Sequence, residues 1–191
     1  MMVGMGEDQR QQKRERILDA ALAKFAAYGF ARTSMNDIAE AASMSRPALY
    51  QHYGNKEEVF HAMLARLLND AADQALAALK NEPTLEAQLD GFLQRWFGDL
   101  TQQVRRTEHG DDLMQAKASY AKPVYDTVNK RVANAVAAHF QAVNPERATA
   151  LTELLLLSPL GLKYDTPSMT TLRTRLSGLA TSLATTAAVD G

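Results

Sequence analysis

Apolar residues recur at helical spacing along almost the whole chain, and nowhere does a period of two mark a half-buried strand. Ile17, Leu18, Ala21, Leu22 and Phe25 share one face of a first helix. The pattern ends it at Tyr28-Gly29, where glycine can take a left-handed terminal position. Ser34, followed three residues later by Asp37, has the form of a capping box. It opens a short second helix to about Ala42, with Met35, Ile38 and Ala42 inside. Ser45 is the next cap, and Pro47 falls in the first turn, where a missing N–H does no harm. This third helix ends near Tyr53-Gly54. Asn55 and Glu58 then cap a fourth, in which Val59, Phe60, Met63, Leu64, Leu67 and Leu68 recur on the way to Leu79.

Beyond Pro83 longer amphipathic helices form a separate unit. Leu85, Leu89, Phe92, Leu93, Trp96, Phe97, Leu100 and Val104 line one face until His109-Gly110 interrupts. A less regular segment runs to Lys122, and Pro123 opens a helix with Val124, Tyr125, Val128, Val132, Val136 and Phe140 inside. Two final helices are predicted over roughly 145–160 and 167–186, each starting at a proline. The fold class is therefore all-α.

Composition narrows the chemistry. The 191 residues contain no cysteine, which removes disulfides, thiolate zinc sites and thiol nucleophiles. No apolar run reaches the ~18 residues of a membrane span, and the opening MMVGMGEDQRQQKRER lacks the apolar core of a signal peptide. A cytoplasmic protein with no membrane partner is expected. Neither a glycine-rich phosphate loop, an HExxH helix nor a serine elbow occurs, and His52, His61, His109 and His139 have no metal-ligand spacing. The reading is not an enzyme, with no cofactor. The net charge of −1 conceals a local pattern: residues 10–16, RQQKRER, are basic, and no acid lies between Glu40 and Glu57. That basic stretch fits a solubilising face as well as a phosphate arm.

Two short helices joined by Ser43-Met44, braced by longer helices before and after, have the arrangement of a helix-turn-helix DNA reader. A third helix of about eight residues would be ~12 Å long, close to the ~12 Å width of the major groove. Leu49 and Tyr53 lie four apart and can dock it inward, leaving Arg46, Pro47, Tyr50 and Gln51 outward. Ser45 and the backbone N–H groups around it suit phosphate. Arg46 suits phosphate or a guanine edge, and Pro47 suits a thymine methyl. Tyr50, His52 and Lys56 can each bring a polar tip to a phosphate. Singly, each is more often an ordinary surface residue, and a lysine at a helix start opposes the dipole; together they form a pattern.

The segment from Arg16 to Phe60 resembles the TetR family of bacterial transcriptional regulators. The residues that carry the likeness are Ile17-Leu18-Asp19-Ala20-Ala21, Phe25, Gly29-Phe30, Thr33-Ser34-Met35, Asp37-Ile38-Ala39, Ser45, Leu49-Tyr50, His52-Tyr53, Lys56-Glu57 and Phe60. One departure is Ser43, where the family has glycine; a left-handed serine costs on the order of 1 kcal/mol. The resemblance implies an N-terminal three-helix DNA-binding domain, 1–56, with 1–9 a flexible tail. It also implies a larger helical effector-binding and dimerisation domain, 57–191. Carried over by position, DNA-contacting residues would be Thr33, Ser34, Ser45, Arg46, Pro47, Tyr50, Gln51, His52 and Lys56.

In the second domain Phe92, Trp96, Met114, Tyr120, Tyr125 and Phe140 are candidates for an apolar effector pocket, although such spacing is first of all that of a core. Leu172, Leu176, Leu179 and Leu183 repeat at four, three, four and suit a partner helix. With Leu151, Leu154 and Leu155 they are candidates for a homodimer interface, against packing within one chain. The expected function is a ligand-responsive transcriptional regulator. It would act as a repressor that binds a palindromic double-stranded DNA operator as a homodimer and is released by a small-molecule effector. The alternative is a helical protein-binding module with a vestigial DNA-binding domain.

Overall fold

The computed structural model describes residues 4–107, 122–162 and 168–188, and every regular element among them is helical, as the unbroken helical period predicts. They form two compact units. One holds the residues up to Leu67 with those between Arg105 and Tyr125; the other holds Leu68 to Val104 and those from Asp126 onward. No helix among the described residues is long and apolar enough to cross a membrane.

The first unit contains α1 (Gly4–Arg32), α2 (Met35–Ala41), α3 (Arg46–Tyr50) and the opening of α4 (Lys56–Asn81). Helix α1 begins well before the expected position. Where a tail is anticipated over 1–9, the backbone is helical from Gly4, because Glu7, Gln9, Arg10, Gln11, Gln12 and Lys13 are mostly strong helix formers and carry the helix outward. Gly29 breaks the helical path with φ 78° and ψ 163°, a conformation essentially restricted to glycine. The positive φ agrees with the sequence reading; the extended ψ goes further and turns the chain out of the helix.

The core of this unit is aromatic. Phe25 lies 5.5 Å from both Phe30 and Phe60, and Phe30 lies 5.0 Å from Phe60. Burying each ring contributes about 1.5–3 kcal/mol, and tilted or edge-on pairing adds about 0.5–1.5 kcal/mol per pair. Ile17, Ile38 and Leu49 are fully buried around them. Arg66 of α4 reaches back to α1, donating to Glu15 and Asp19 at 2.6 Å each. The bridge neutralises two acids of α1 at once.

The second unit contains the rest of α4, then α5 (Leu85–Leu93), a π-helical segment (Gln94–Asp99), α6 (Leu100–Arg106) as far as Val104, α7 (Lys122–Val143) from Asp126 onward, α8 (Ala148–Leu162) and α9 (Met169–Ala188). Thr84 caps α5 by accepting from Ala87 N at 3.2 Å. The apolar face expected over Leu85 to Leu100 is present, with Leu89, Phe92, Leu93 and Trp96 buried, but the backbone widens into π geometry midway. Asn144 accepts from Arg147 N at 3.2 Å, so α8 starts three residues later than its proline suggests. Ser168 accepts from Thr171 N at 3.1 Å and caps α9, while Pro167 lies outside the described residues.

An arginine cluster fastens the π segment to α9. Arg173 donates to Asp99 at 2.7 Å, Gln102 at 2.8 Å and Gln94 at 3.1 Å. In an α-helix residues five apart point about 140° from each other, so Gln94 and Asp99 could not both meet one guanidinium; the wider turn brings them together. Gly98 keeps the approach open, since a Cβ there would lie 3.1 Å from Arg173 Nη1.

The leucine repeat is corrected here. Leu151, Leu155, Leu172, Leu176 and Leu183 are buried within this unit, so most of the expected dimer seam is the core of a single chain. Periodicity marks an apolar face without saying whose helix covers it. Leu154, by contrast, is 48% exposed and Leu157, on the same outer side of α8, is 60% exposed. Leu160 continues that face, and Leu179 of α9 is half-buried.

Candidate nucleic-acid interface

Helix α2 is held by the capping box that its sequence predicts. Asp37 accepts from Ser34 N at 2.8 Å, and Ser34 Oγ accepts from Asp37 N at 3.2 Å. The Ser34 hydroxyl also donates to the Asp37 carboxylate at 2.7 Å, and these bonds hold that carboxyl below its ordinary pKa. After α2, Ser43 takes the left-handed conformation with φ 54°, and its N–H and that of Met44 close the helix on Glu40 and Ala39 carbonyls at 3.0 Å each. The glycine position of the turn is thus left-handed with serine in it.

Helix α3 is shorter than the eight residues anticipated. Five residues are α-helical, and turns with N–H bonds from Gln51, His52 and Tyr53 back to Pro47 and Leu49 continue its path. Ser45 caps it by accepting from Ala48 N at 3.3 Å. Leu49 and Tyr53 point inward, and Arg14 of α1 stacks over the Tyr53 ring at 5.6 Å. The opposite side holds Ser45, Arg46, Pro47, Tyr50 and Gln51, all exposed. Arg46 lies over the Tyr50 ring at 5.5 Å, its guanidinium 3.4 Å from the phenol oxygen. Stacking restricts both side chains and directs their polar ends outward together. His52 is half-buried, and its pKa is lowered by burial and by the neighbouring cations Arg10, Lys13 and Arg14.

Two predicted contact residues are engaged elsewhere. Thr33 is buried, its hydroxyl donating to Gly29 O at 2.8 Å with Lys24 O a second acceptor at 3.3 Å. It secures the chain where Gly29 leaves the helix. Lys56 Nζ donates to Phe30 O at 2.7 Å and Ala31 O at 3.4 Å, and lies 4.5 Å from the Phe30 ring centroid. The carbonyls at the end of α1 offset the unfavourable placement of this cation at the start of α4. Ser34 is exposed, with its hydroxyl engaged in the cap.

Three residues absent from the predicted set join it in space. Gln9, Arg10 and Lys13 of α1 line an open groove with Gln51 and His52. The basic run RQQKRER was the available signal, but nothing in its spacing tells which neighbour it meets. Of the predicted effector-pocket residues, Phe92, Trp96 and Phe140 are buried in the second unit. Tyr125 is half-buried and falls among residues of the first unit, and Met114 and Tyr120 lie outside the described residues.

A short polar helix, held by its apolar back across a tight left-handed turn and followed by a larger helical region, defines a helix-turn-helix protein. Residues 17–63 match the family model of bacterial regulatory proteins, tetR family. Over these residues the chain is similar to the N-terminal domain of TetR-family regulators. Over 50 residues it is 42% identical to the probable acrEF/envCD operon repressor of Escherichia coli K12, covering 26% of this chain and 23% of that protein. Over 85 residues it is 35% identical to the HTH-type transcriptional regulator TtgR of Pseudomonas putida, covering 44% and 40%. These matches span under half the length of the curated relatives. The fold likeness is broader: a transcriptional regulator from Cytophaga hutchinsonii superposes with TM-score 0.67 at 21% identity over 90% of this chain and 96% of that one. A transcriptional regulator from Rhodococcus sp. gives 0.64 at 18% identity over 93% and 99%.

Proposed function

We propose that the chain is a ligand-responsive transcriptional repressor that binds a palindromic DNA operator as a homodimer. The observation that carries this reading is the outward face of α3, where Ser45, Arg46, Pro47, Tyr50 and Gln51 are exposed without an acid among them. A helix N-terminus, a stacked arginine and a phenol match phosphate oxygens and base edges in one groove. Two copies must present these faces about one helical turn apart, ~34 Å, or a multiple of it. The exposed leucine face of α8 supports a two-fold pairing of copies, because a twofold operator calls for a twofold protein. The residues Phe92, Trp96 and Phe140 are the proposed apolar surroundings of an effector in the second unit. A shift of α4 on effector binding would alter the spacing of the α3 helices, and only differential affinity for the two spacings can drive release.

The test is fluorescence anisotropy with duplexes from the DNA upstream of the coding sequence, across a salt series. Wild-type protein is expected to bind one duplex selectively and with a steep salt dependence. Arg46→Ala should weaken that complex by ~1–3 kcal/mol. Equal affinity for all duplexes, or an unchanged complex with Arg46→Ala and Tyr50→Phe, would reject the assignment of α3.

A further inference from the structure

We infer that the groove between the first turns of α1 and the end of α3, lined by Gln9, Arg10, Lys13, Gln51 and His52, is a second DNA anchor that holds a backbone phosphate. This deepens the DNA-binding reading above and rests on it. The argument begins with charge. Glu15 and Asp19 of α1 are held by Arg66, and among the described residues no carboxylate is paired with Arg10 or Lys13. Arg14, the third cation of this stretch, is stacked on Tyr53. Arg10 and Lys13 therefore converge on an open concavity whose remaining walls, Gln51 and His52, offer hydrogen bonds and no negative charge. That combination of two cations, an amide donor and an imidazole suits a singly charged phosphodiester.

Position gives the second argument. Gln51 directly follows Tyr50, so the groove adjoins the outward face of α3 within the same unit. A duplex read by Arg46 and Tyr50 would have backbone phosphates beside the groove, and α1 would grip the flank of the site while α3 enters it. Such contacts carry no sequence information and set register instead. The charged groups that face His52 are Arg10, Lys13 and Arg14, all from α1. A phosphate placed among them offsets their repulsion of an imidazolium.

The test compares wild type with Arg10→Gln/Lys13→Gln by anisotropy over a salt series, on the preferred duplex and on one of scrambled sequence. The control is Lys80→Gln/Lys130→Gln, which removes the same charge from exposed sites in the second unit. Circular dichroism checks folding. Losing the one phosphate held in each groove should reduce the slope of log K against log salt by about 0.9 per bound protomer on both duplexes, while the control keeps the wild-type slope. In parallel, the His52 ring resonance, identified with His52→Gln, should titrate at higher pH when duplex is bound. An unchanged slope in Arg10→Gln/Lys13→Gln, or an equal fall in the control, overturns the anchor and leaves the α3 reading standing. If the His52 resonance responds to inorganic phosphate but not to duplex, the groove is a free-anion site and the DNA anchor is overturned. If wild-type protein binds no duplex, both readings fail.

Discussion

Thr33 and Lys56 show how a residue in a DNA-contact pattern can have a structural purpose. Thr33→Val should destabilise the first unit by about 1–2 kcal/mol, since it leaves the Gly29 carbonyl without its buried donor. Lys56→Met should likewise lower the denaturation midpoint while leaving the salt slope of DNA binding at its wild-type value. A slope reduced by a full phosphate contact would return Lys56 to the DNA-binding set. Neither role was legible in sequence, because the partners are backbone carbonyls, present at every residue and therefore unmarked. Lys56 reaches its carbonyl across 26 positions. Ser43, by contrast, could be read directly: its φ of 54° predicts that Ser43→Gly stabilises the protein by up to about 1 kcal/mol in chemical denaturation. His52 supplies a pH dependence. Its folded pKa lies below the ordinary 6.5, so folding favours the neutral ring. Stability is complete above 6.5 and is lost as pH falls from there through the folded value, a component that His52→Gln should remove from the pH profile of thermal melting.

At the scale of elements, the caps were the most legible features. The Ser34 and Asp37 pair, Ser45 and Asn55 each bond the N–H that their spacing predicts, because a cap is decided within four residues and needs no distant partner. Ser34→Ala should cost about 0.5–2 kcal/mol and loosen α2. The Asp37 carboxyl adds an acid limb: its folded pKa is depressed, so its contribution is present above 3.8 and is lost as pH falls through the lower folded value. Asp37→Asn should flatten that limb. Helix α3 was harder to delimit. Its last bonds pass through turns, and no residue between Tyr50 and Gly54 announces where α-helical geometry stops. The π segment left no sequence mark, since Gln94 to Asp99 keep an apolar face compatible with an ordinary helix. The partner that Gln94 and Asp99 share, Arg173, lies far along the chain.

For the molecule as a whole, the apolar pattern finds most of the core, although Leu22, Leu67, Leu85, Phe97, Val124 and Tyr125 are only half-buried, and it leaves the partners open. Leu155 and Leu157 lie two apart on one helix with opposite fates, one fully buried and one largely exposed. Leu155→Ala should therefore destabilise the second unit by about 2–5 kcal/mol. Leu157→Glu should preserve the fold and yield a monomer mass in light scattering at micromolar concentration, with operator affinity falling in step. A dimer mass for Leu157→Glu would place the pairing surface elsewhere. Because the chain has a single tryptophan, Trp96, its emission reports on the π segment. The π turn also bears on how such a chain changes length. A residue inserted into a regular helix rotates everything after it by about 100° and carries its apolar face away from the core. Between Gln94 and Asp99 the extra residue is absorbed by the wide turn, while Leu89, Phe92, Leu93 and Trp96 stay buried. A version of the chain one residue shorter at this point could close into a plain α-helix, losing the joint grip of Gln94 and Asp99 on Arg173. The segment is thus a position where chain length can drift by one residue without the core having to be rebuilt.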